Sequence, residues 1–118
     1  MDTKNAFFDP ADMLDTFMND EKTALSLLSR FIERTKNQLE SFPAFESASD
    51  WKSARRNAHM IKGAALTMGG SELGEAAGIL EHAIINNARD DINTAYIKTC
   101  KAFDNFKREA EAYILSRS

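Results

Sequence analysis

The side chain best suited to chemistry in this sequence is His59. A neutral imidazole is a good nucleophile near pH 7, so an accessible histidine can accept a group onto a ring nitrogen. Apolar residues recur around it at helical spacing, at Trp51, Ala54, Ala58, Ile61, Ala65 and Met68. At about 100° per residue, His59 points roughly 130° away from that stripe. We therefore predict that it lies on the solvent-facing side of a helix.

Two residues one turn after His59 argue that it is more than an incidental surface histidine. Gly63 lies in the middle of the predicted helix, where glycine costs about 1 kcal/mol relative to alanine. It has no capping role there, because the apolar stripe continues beyond it, and it leaves space for another molecule to reach the imidazole. Lys62, three residues after His59, can bring an ammonium group near a substituent on the ring.

The same helix is basic. The stretch 51–68 contains four basic residues and no acidic one, although the whole chain has a net charge of −3; the four are Lys52, Arg55, Arg56 and Lys62. A phosphoryl group arriving at His59 would therefore meet positive charge. Phosphoryl transfer asks the protein mainly for in-line geometry and charge neutralisation. A lone surface histidine is sufficient if the partner supplies the metal and the acidic groups.

Other classes of chemistry fit the sequence less well. It has no Ser-His-Asp-like order, no Gly-rich phosphate loop and no paired-carboxylate motif, so we expect neither a hydrolase nor a kinase with its own ATP-binding region. His59 and His82 are both predicted to face outward, which argues against a metal or cofactor site inside a helical bundle. We therefore expect no metal ligands in this chain.

Composition and charge limit the partners and the compartment expected for the protein. A net charge of −3 argues against a nucleic-acid partner or an anionic membrane surface. No stretch approaches the roughly 20 apolar residues that span a bilayer. The N-terminus does not resemble a secretory signal, and the single Cys100 cannot form an internal disulfide. We expect a cytoplasmic protein on these grounds, and a monomer by default.

Helical periodicity extends over nearly the whole chain. A short first helix is predicted over 11–18, with Asp9 as N-cap and Pro10 in the first turn. A second helix is predicted to begin after Asn19 or Asp20 and to end near residue 41. Pro43 is expected to block its continuation, which makes 44–49 a loop.

Three further helices are predicted after that loop. Asp50 is the expected N-cap of the third helix, and Gly69 and Gly70 end it. Ser71 is the expected N-cap of the fourth helix, which ends at Asn86 and Asn87, and Asp90 or Asp91 opens the last one. Short connections between helices of similar length favour antiparallel neighbours. The predicted fold is all-α: an antiparallel up-down-up-down four-helix bundle with a short additional N-terminal helix, forming one domain over 1–118.

The residues around His59 resemble the signature of the histidine-containing phosphotransfer (Hpt) family. That signature reads His, any residue, an aliphatic, Lys, Gly and two small residues, with a second glycine ten positions after the histidine. This sequence matches it with Ala58, His59, Met60, Ile61, Lys62, Gly63, Ala64, Ala65 and Gly69, followed by Leu73, Leu80 and Glu81. The matching segment covers about a fifth of the chain, and the predicted order of helices extends the resemblance to the rest.

The resemblance implies a role for each of these residues. His59 would be the phosphoacceptor, through Nε2, in a multistep phosphorelay. Lys62 would neutralise the phosphoryl oxygens, and Gly63 would keep the approach open. Glu81 replaces a glutamine that is frequent in the family, and it either accepts the Nδ1 proton of His59 or forms a salt bridge with Lys62. The protein would be a phosphocarrier and not an enzyme.

The resemblance also implies the partners. These would be receiver domains of response regulators and an upstream sensor or hybrid histidine kinase. No intrinsic cofactor is expected, and Mg²⁺ would be held by the partner receiver domain. The predicted docking residues are Arg55, Arg56, Leu66, Gly74 and Gly78, with some contribution from the short first helix.

Several alternatives stay open at this point. The alternative function is a helical adaptor that docks a receiver domain without being phosphorylated. Arg55 and Arg56 either steer an acidic receiver surface or are simply solvated, and Gly74 and Gly78 serve either docking clearance or close helix packing. Met1 and the compact length favour a free-standing shuttle over a piece of a larger kinase.

Overall fold

The computed structural model describes residues 7–117, and within them five helices account for nearly all of the chain. The first is short and the other four form the body of the fold. They are α1 (Pro10–Thr16), α2 (Glu21–Ser47), α3 (Trp51–Thr67), α4 (Ser71–Ile85) and α5 (Arg89–Ser116). Helix α3 packs against α2 and α4, while α5 packs against α4 and α2. This confirms the all-α prediction, and it places α3 between two neighbours.

Aspartates start the first three helices. The side chains of Asp9, Asp20 and Asp50 each accept a hydrogen bond from the backbone N–H three residues later, which satisfies a donor that has no partner inside the helix. At Asp50 the Ser53 hydroxyl also donates to the carboxylate, at 2.7 Å. The hydrogen bond from the Ser53 hydroxyl, and after it the one from the Ser53 N–H, lowers the pKa of the Asp50 carboxyl below its ordinary value. The N-caps predicted for α1 and α3 are confirmed, and of the two candidates for α2 the structure selects Asp20.

The predicted starts of the last two helices are wrong by one or two residues. Ser71 is the first residue of α4 and not its cap, because the carbonyl of Gly70 already accepts the N–H of Gly74 at 2.9 Å. Helix α5 begins at Arg89, before Asp90 and Asp91, with the carbonyl of Ala88 accepting the first bond. Neither of these helices has a side-chain cap.

The prediction that α2 ends before Pro43 is also wrong. Helix α2 continues through Pro43 to Ser47, although proline has no N–H to donate to the carbonyl four residues earlier. That carbonyl belongs to Leu39, and the Tyr96 hydroxyl of α5 donates a hydrogen bond to it at 2.7 Å. The Tyr96 ring also stacks on Phe42, with 4.3 Å between ring centroids. A tertiary contact thus replaces the missing helical hydrogen bond, and residues 44–47 are helix instead of loop.

The core lies along the facing sides of these helices, and the apolar stripes predicted from periodicity are buried or half-buried. Phe106 is at its centre, with Phe31 and Phe8 packed edge-to-face against it at centroid distances of 5.4 and 5.5 Å. Such pairs add about 0.5–1.5 kcal/mol to the effect of burial alone. On α3, the buried residues Ala54, Ala58, Ile61 and Ala65 hold the inner side of the helix in the core, so its other side faces outward.

The residues before α1 are anchored to the end of α3. The backbone N–H of Asp9 donates to the Gly69 carbonyl at 2.8 Å, and the Phe8 side chain is fully buried. Gly69 has φ of +77°, a left-handed conformation that glycine adopts at little cost. A Cβ there would also collide with the backbone carbonyl of Asp9. No helix within residues 7–117 is long and apolar enough to cross a membrane.

Candidate functional site on the outer face of α3

His59 lies on the outer face of α3, as its position relative to the apolar stripe predicts. Its neighbours Ala58 and Ile61 are 1% and 2% exposed and face the core, whereas the His59 side chain is 68% exposed. Helical geometry converts this one- or two-residue offset into opposite sides of the helix. The imidazole is therefore accessible to another macromolecule.

The neighbouring helix α4 holds one side of the imidazole. Nδ1 of His59 lies 2.9 Å from Oε2 of Glu81, whose side chain is only 15% exposed. An ionised carboxylate only accepts hydrogen bonds, so this contact favours the imidazole tautomer with its proton on Nδ1. In a neutral imidazole the lone pair is then on Nε2. Within residues 7–117, Nε2 has no hydrogen-bond partner.

Lys62 lies beside His59 but does not pair with Glu81. Its aliphatic stem passes over α4, where a Cβ built on Gly78 would lie 3.4 Å from Lys62 Cδ and 3.7 Å from its Cε. No carboxylate within residues 7–117 lies within ion-pair distance of the Lys62 ammonium. Of the two sequence-based alternatives for Glu81, the structure therefore shows the contact with His59 and not the salt bridge. The charge of Lys62 is available to an incoming anion.

Gly63 leaves open space one turn after His59. A Cβ built at this position would have no atom within 4 Å outside its own helix turn. Nothing inside the molecule therefore requires glycine here. Because an interior glycine destabilises a helix by about 1 kcal/mol relative to alanine, its presence beside an exposed imidazole favours an external reason for the open space.

Comparison with protein-family models matches residues 12–113 to the Hpt domain. The chain belongs to the Hpt domain family. Neither the curated proteins nor the solved structures compared with it gave a significant match. The family match covers all five helices except the ends of the first and last, so it includes the whole outer face of α3.

Membership of the family indicates the general role of the domain. Hpt domains act in phosphorelays, where they interact with receiver domains and kinases, and they are phosphocarriers and not kinases. The exposed nucleophile, the nearby cation and the open approach in this Hpt domain suit such a role chemically. Within residues 7–117, no group of three or more His, Cys, Asp or Glu side chains is arranged to hold a metal ion.

The structure separates the docking residues predicted for this Hpt domain. Arg55 and Arg56 are exposed on α3 near His59. Leu66 is half exposed, but its side chain occupies the space above Gly74, where a Cβ would lie 2.9 Å from Leu66 Cδ2. Gly74 is buried, and its contact with Leu66 supports the alternative of close packing of α3 on α4; its part in docking stays a prediction. Gly78 supports the stem of Lys62.

Sequence reasoning missed a groove between α2 and α3 that borders the outer face of α3. It has a volume of about 310 Å³ and contains no acidic residue; its lining consists of Leu27, Arg30, Phe31, Arg34, Gln38, Met60, Ala64, Thr67 and Met68. The short first helix does not line this groove, and its contribution to docking stays a prediction. Arg30 and Arg34 are one turn apart on an exposed face of α2, but a single helix does not reveal which neighbour it packs against.

Proposed function

We propose that this Hpt domain shuttles a phosphoryl group between receiver-domain aspartates, through a phosphohistidine formed on Nε2 of His59. The observation that carries the proposal is the exposed imidazole whose Nδ1 is held by Glu81 at 2.9 Å. The proposal takes α2 to α5 as an antiparallel up-down-up-down four-helix bundle with α1 as an additional helix. In that arrangement α3 and α4 together present the site.

The transfer step needs only groups that are present in the two partners. The lone pair of Nε2 attacks the phosphorus of an aspartyl phosphate, the N–P bond forms, and the P–O bond to the aspartate breaks. The receiver regains its carboxylate, and the Nδ1 proton of His59 is retained. Return of the phosphoryl group to a second receiver reverses each bond change. Nothing in this scheme requires the carrier to bind ATP or to activate water.

Glu81 acts as a positioning residue in this scheme. Holding the proton on Nδ1 keeps the lone pair on Nε2 and orients the ring. Once Nε2 carries phosphorus and Nδ1 keeps its proton, the ring becomes cationic, and the carboxylate balances that charge at 2.9 Å. A glutamine at this position would keep the hydrogen bond without the charge. Charge-assisted hydrogen bonds are about twice as strong as neutral ones.

Lys62 and Gly63 complete the phosphoryl site. The Lys62 ammonium lies on the same outer face, one turn from His59, and neutralises the charge on the phosphoryl oxygens. The open space at Gly63 admits the receiver loop that carries the aspartate. Mg²⁺ would be held by acidic residues of the receiver, where it neutralises the remaining charge.

The docking partner is proposed to present an acidic, partly apolar surface. Arg55 and Arg56 precede His59 by about one turn on α3, and Arg30 and Arg34 add positive charge along the groove between α2 and α3. Between the two helices, Met60 is 40% exposed beside the groove and offers a flexible apolar contact. Complementary charge of this kind steers encounter and sets its orientation. An upstream sensor or hybrid kinase would use the same face through its own receiver domain.

The decisive experiment is intact-mass analysis, at neutral pH, of the protein after incubation with a phosphorylated receiver domain or with phosphoramidate. Wild type is expected to gain one acid-labile phosphoryl group, and His59→Gln none. His82→Gln is a matched control, because His82 is the other histidine of the chain and is also exposed. Binding of a receiver without modification by either donor would favour the adaptor function instead.

The role of Glu81 is tested separately with Glu81→Gln and Glu81→Ala. The glutamine variant should keep Nδ1 protonated and slow transfer about fivefold, because about 1 kcal/mol of charge assistance is lost. The alanine variant should slow it further and mix the two imidazole tautomers, which ¹⁵N NMR of the ring distinguishes. Unchanged tautomer and rate in both variants would limit Glu81 to a structural role.

A further inference from the structure

A second exposed face lies between α4 and α5, on the flank of α4 that points away from His59. It contains an apolar groove of about 390 Å³, whose uncharged lining is Phe7, Ala76, Ile79, Ala95, Ala102 and Asn105. Ile79 stands at the edge of the groove and is 57% exposed, and Ile97 on α5 is 59% exposed. None of the residues assigned to phosphotransfer or receiver docking lines this groove.

The two rims of this groove carry opposite charges. Glu72 and Glu75 line the side formed by α4, whereas Lys98 and Lys101 line the side formed by α5. No salt bridge within residues 7–117 involves any of these four side chains. The face thus combines an apolar centre with one acidic and one basic border, and its charges are free to interact outside the molecule.

We propose that this α4–α5 face joins two copies of the chain in a homodimer. A twofold axis parallel to the groove places α4 of one copy over α5 of the other, so that each acidic rim meets a basic rim. An axis across the groove would instead place like charges together, which is unfavourable. In the first arrangement, Ile79 at the edge of each groove faces the α5 side of the partner copy's groove.

The dimer leaves His59 accessible, although Glu75 and Ile79 of the interface also line a pocket with Lys62 and Leu66. His59 and Glu81 lie on the α3 side of α4, whereas the proposed interface lies on its α5 side, so each dimer presents two accessible imidazoles. The inference replaces the monomer expected from the sequence, since that expectation depended on no particular residue. It is also independent of the phosphotransfer proposal, because its residues and its test do not involve His59.

The test measures the molar mass of the full chain by sedimentation equilibrium, from about 10 μM to about 1 mM, the range suited to a small interface. Wild type is expected to show a monomer–dimer equilibrium that weakens in 1 M salt, where the Debye length falls to about 3 Å. Lys98→Glu/Lys101→Glu makes both rims acidic, and Glu72→Lys/Glu75→Lys makes both basic. Each variant alone should dimerise at least tenfold more weakly.

Mixing the two double variants tests the pairing of the rims more directly than either variant alone. An equimolar mixture of the two double variants should form a heterodimer, and a chain that combines all four substitutions should dimerise like wild type. Lys22→Glu/Lys36→Glu, which makes the same change in charge on the exposed surface of α2, is the matched control and should leave dimerisation unchanged. Far-UV circular dichroism verifies that each variant is folded. A wild type that stays monomeric at 1 mM overturns the proposal, and so does a mixture of folded variants that does not associate.

Discussion

The hydrogen bond from Tyr96 to Leu39 predicts a measurable coupling with Pro43. Tyr96→Phe removes the hydroxyl that donates to the Leu39 carbonyl at 2.7 Å, and Pro43 cannot supply an N–H in its place. Leaving this half-buried carbonyl without a partner should lower the free energy of unfolding by about 1–2 kcal/mol. The aromatic stack with Phe42 is kept, because the phenylalanine ring occupies the same position.

The size of the effect should depend on residue 43. In Pro43→Ala the new alanine N–H can donate to the Leu39 carbonyl, so Tyr96→Phe should then cost only about 0.5 kcal/mol. The expected coupling between the two sites is therefore about 1 kcal/mol, above the few tenths seen for independent sites. The loss of any contact between Tyr96 and Cys100 is common to both backgrounds and cancels in the comparison.

Urea unfolding of the four proteins, followed by far-UV circular dichroism, measures this double-mutant cycle. The wild type, the two single variants and the double variant should share one m-value if unfolding exposes the same surface. A coupling of zero within error would refute the account, since α2 would then tolerate Pro43 without help from Tyr96. A shorter α2 in the Tyr96→Phe variant, seen as lost helicity before unfolding, would strengthen it.

Three further predictions concern stability and the site. Gly63→Ala should raise the free energy of unfolding by about 1 kcal/mol, because its Cβ meets nothing within 4 Å; it should slow transfer from a receiver more than phosphorylation by phosphoramidate, as intact mass would show. Gly69→Ala should lower the free energy of unfolding by more than about 2 kcal/mol, since alanine is strained at a φ of +77° and its Cβ displaces the backbone of Asp9. Urea unfolding measures this change, and an unchanged unfolding midpoint would contradict it. Asp50→Ala should destabilise the fold at pH 7, and its difference from wild type should shrink as the pH is lowered. The folded pKa of the Asp50 carboxyl is lowered, so its stabilising effect is present above the unfolded pKa of about 3.9 and is lost as the pH falls through the folded value; a difference between variant and wild type that does not shrink below about pH 3.9 would contradict this.

Much of the architecture can be predicted from the sequence because the signals are local. The 3- and 4-residue spacing in α3 identifies its buried side, and the opposite side then includes His59. Aspartate is a favoured N-cap residue, and it precedes the first three helices at Asp9, Asp20 and Asp50. These features depend only on residues within one or two turns of each other, so a single sequence contains them completely.

The features that sequence reasoning predicted wrongly or missed depend on contacts between helices. Helix α2 passes Pro43 because of a hydroxyl 53 positions further along the chain, and the groove beside Met60 exists because α2 packs against α3. Whether the Glu81 carboxylate contacts His59 or Lys62 likewise depends on how α4 packs against α3. Each of these outcomes is decided by the packing of two helices, which periodicity in one helix does not specify.

The four glycines that flank or face the site show how structure separates internal from external causes. Gly69 is required by its backbone conformation and by Asp9, Gly70 faces the ring of Phe106, and Gly74 lies under Leu66. For each of these, an added methyl group would strike another part of the same molecule. Gly63 alone among the four has empty space around it, so the protein bears the cost of an interior glycine without any gain in packing. We therefore propose that the reason for Gly63 lies in the molecule that approaches His59, and on that proposal its substitution is expected to stabilise the fold and impair the transfer.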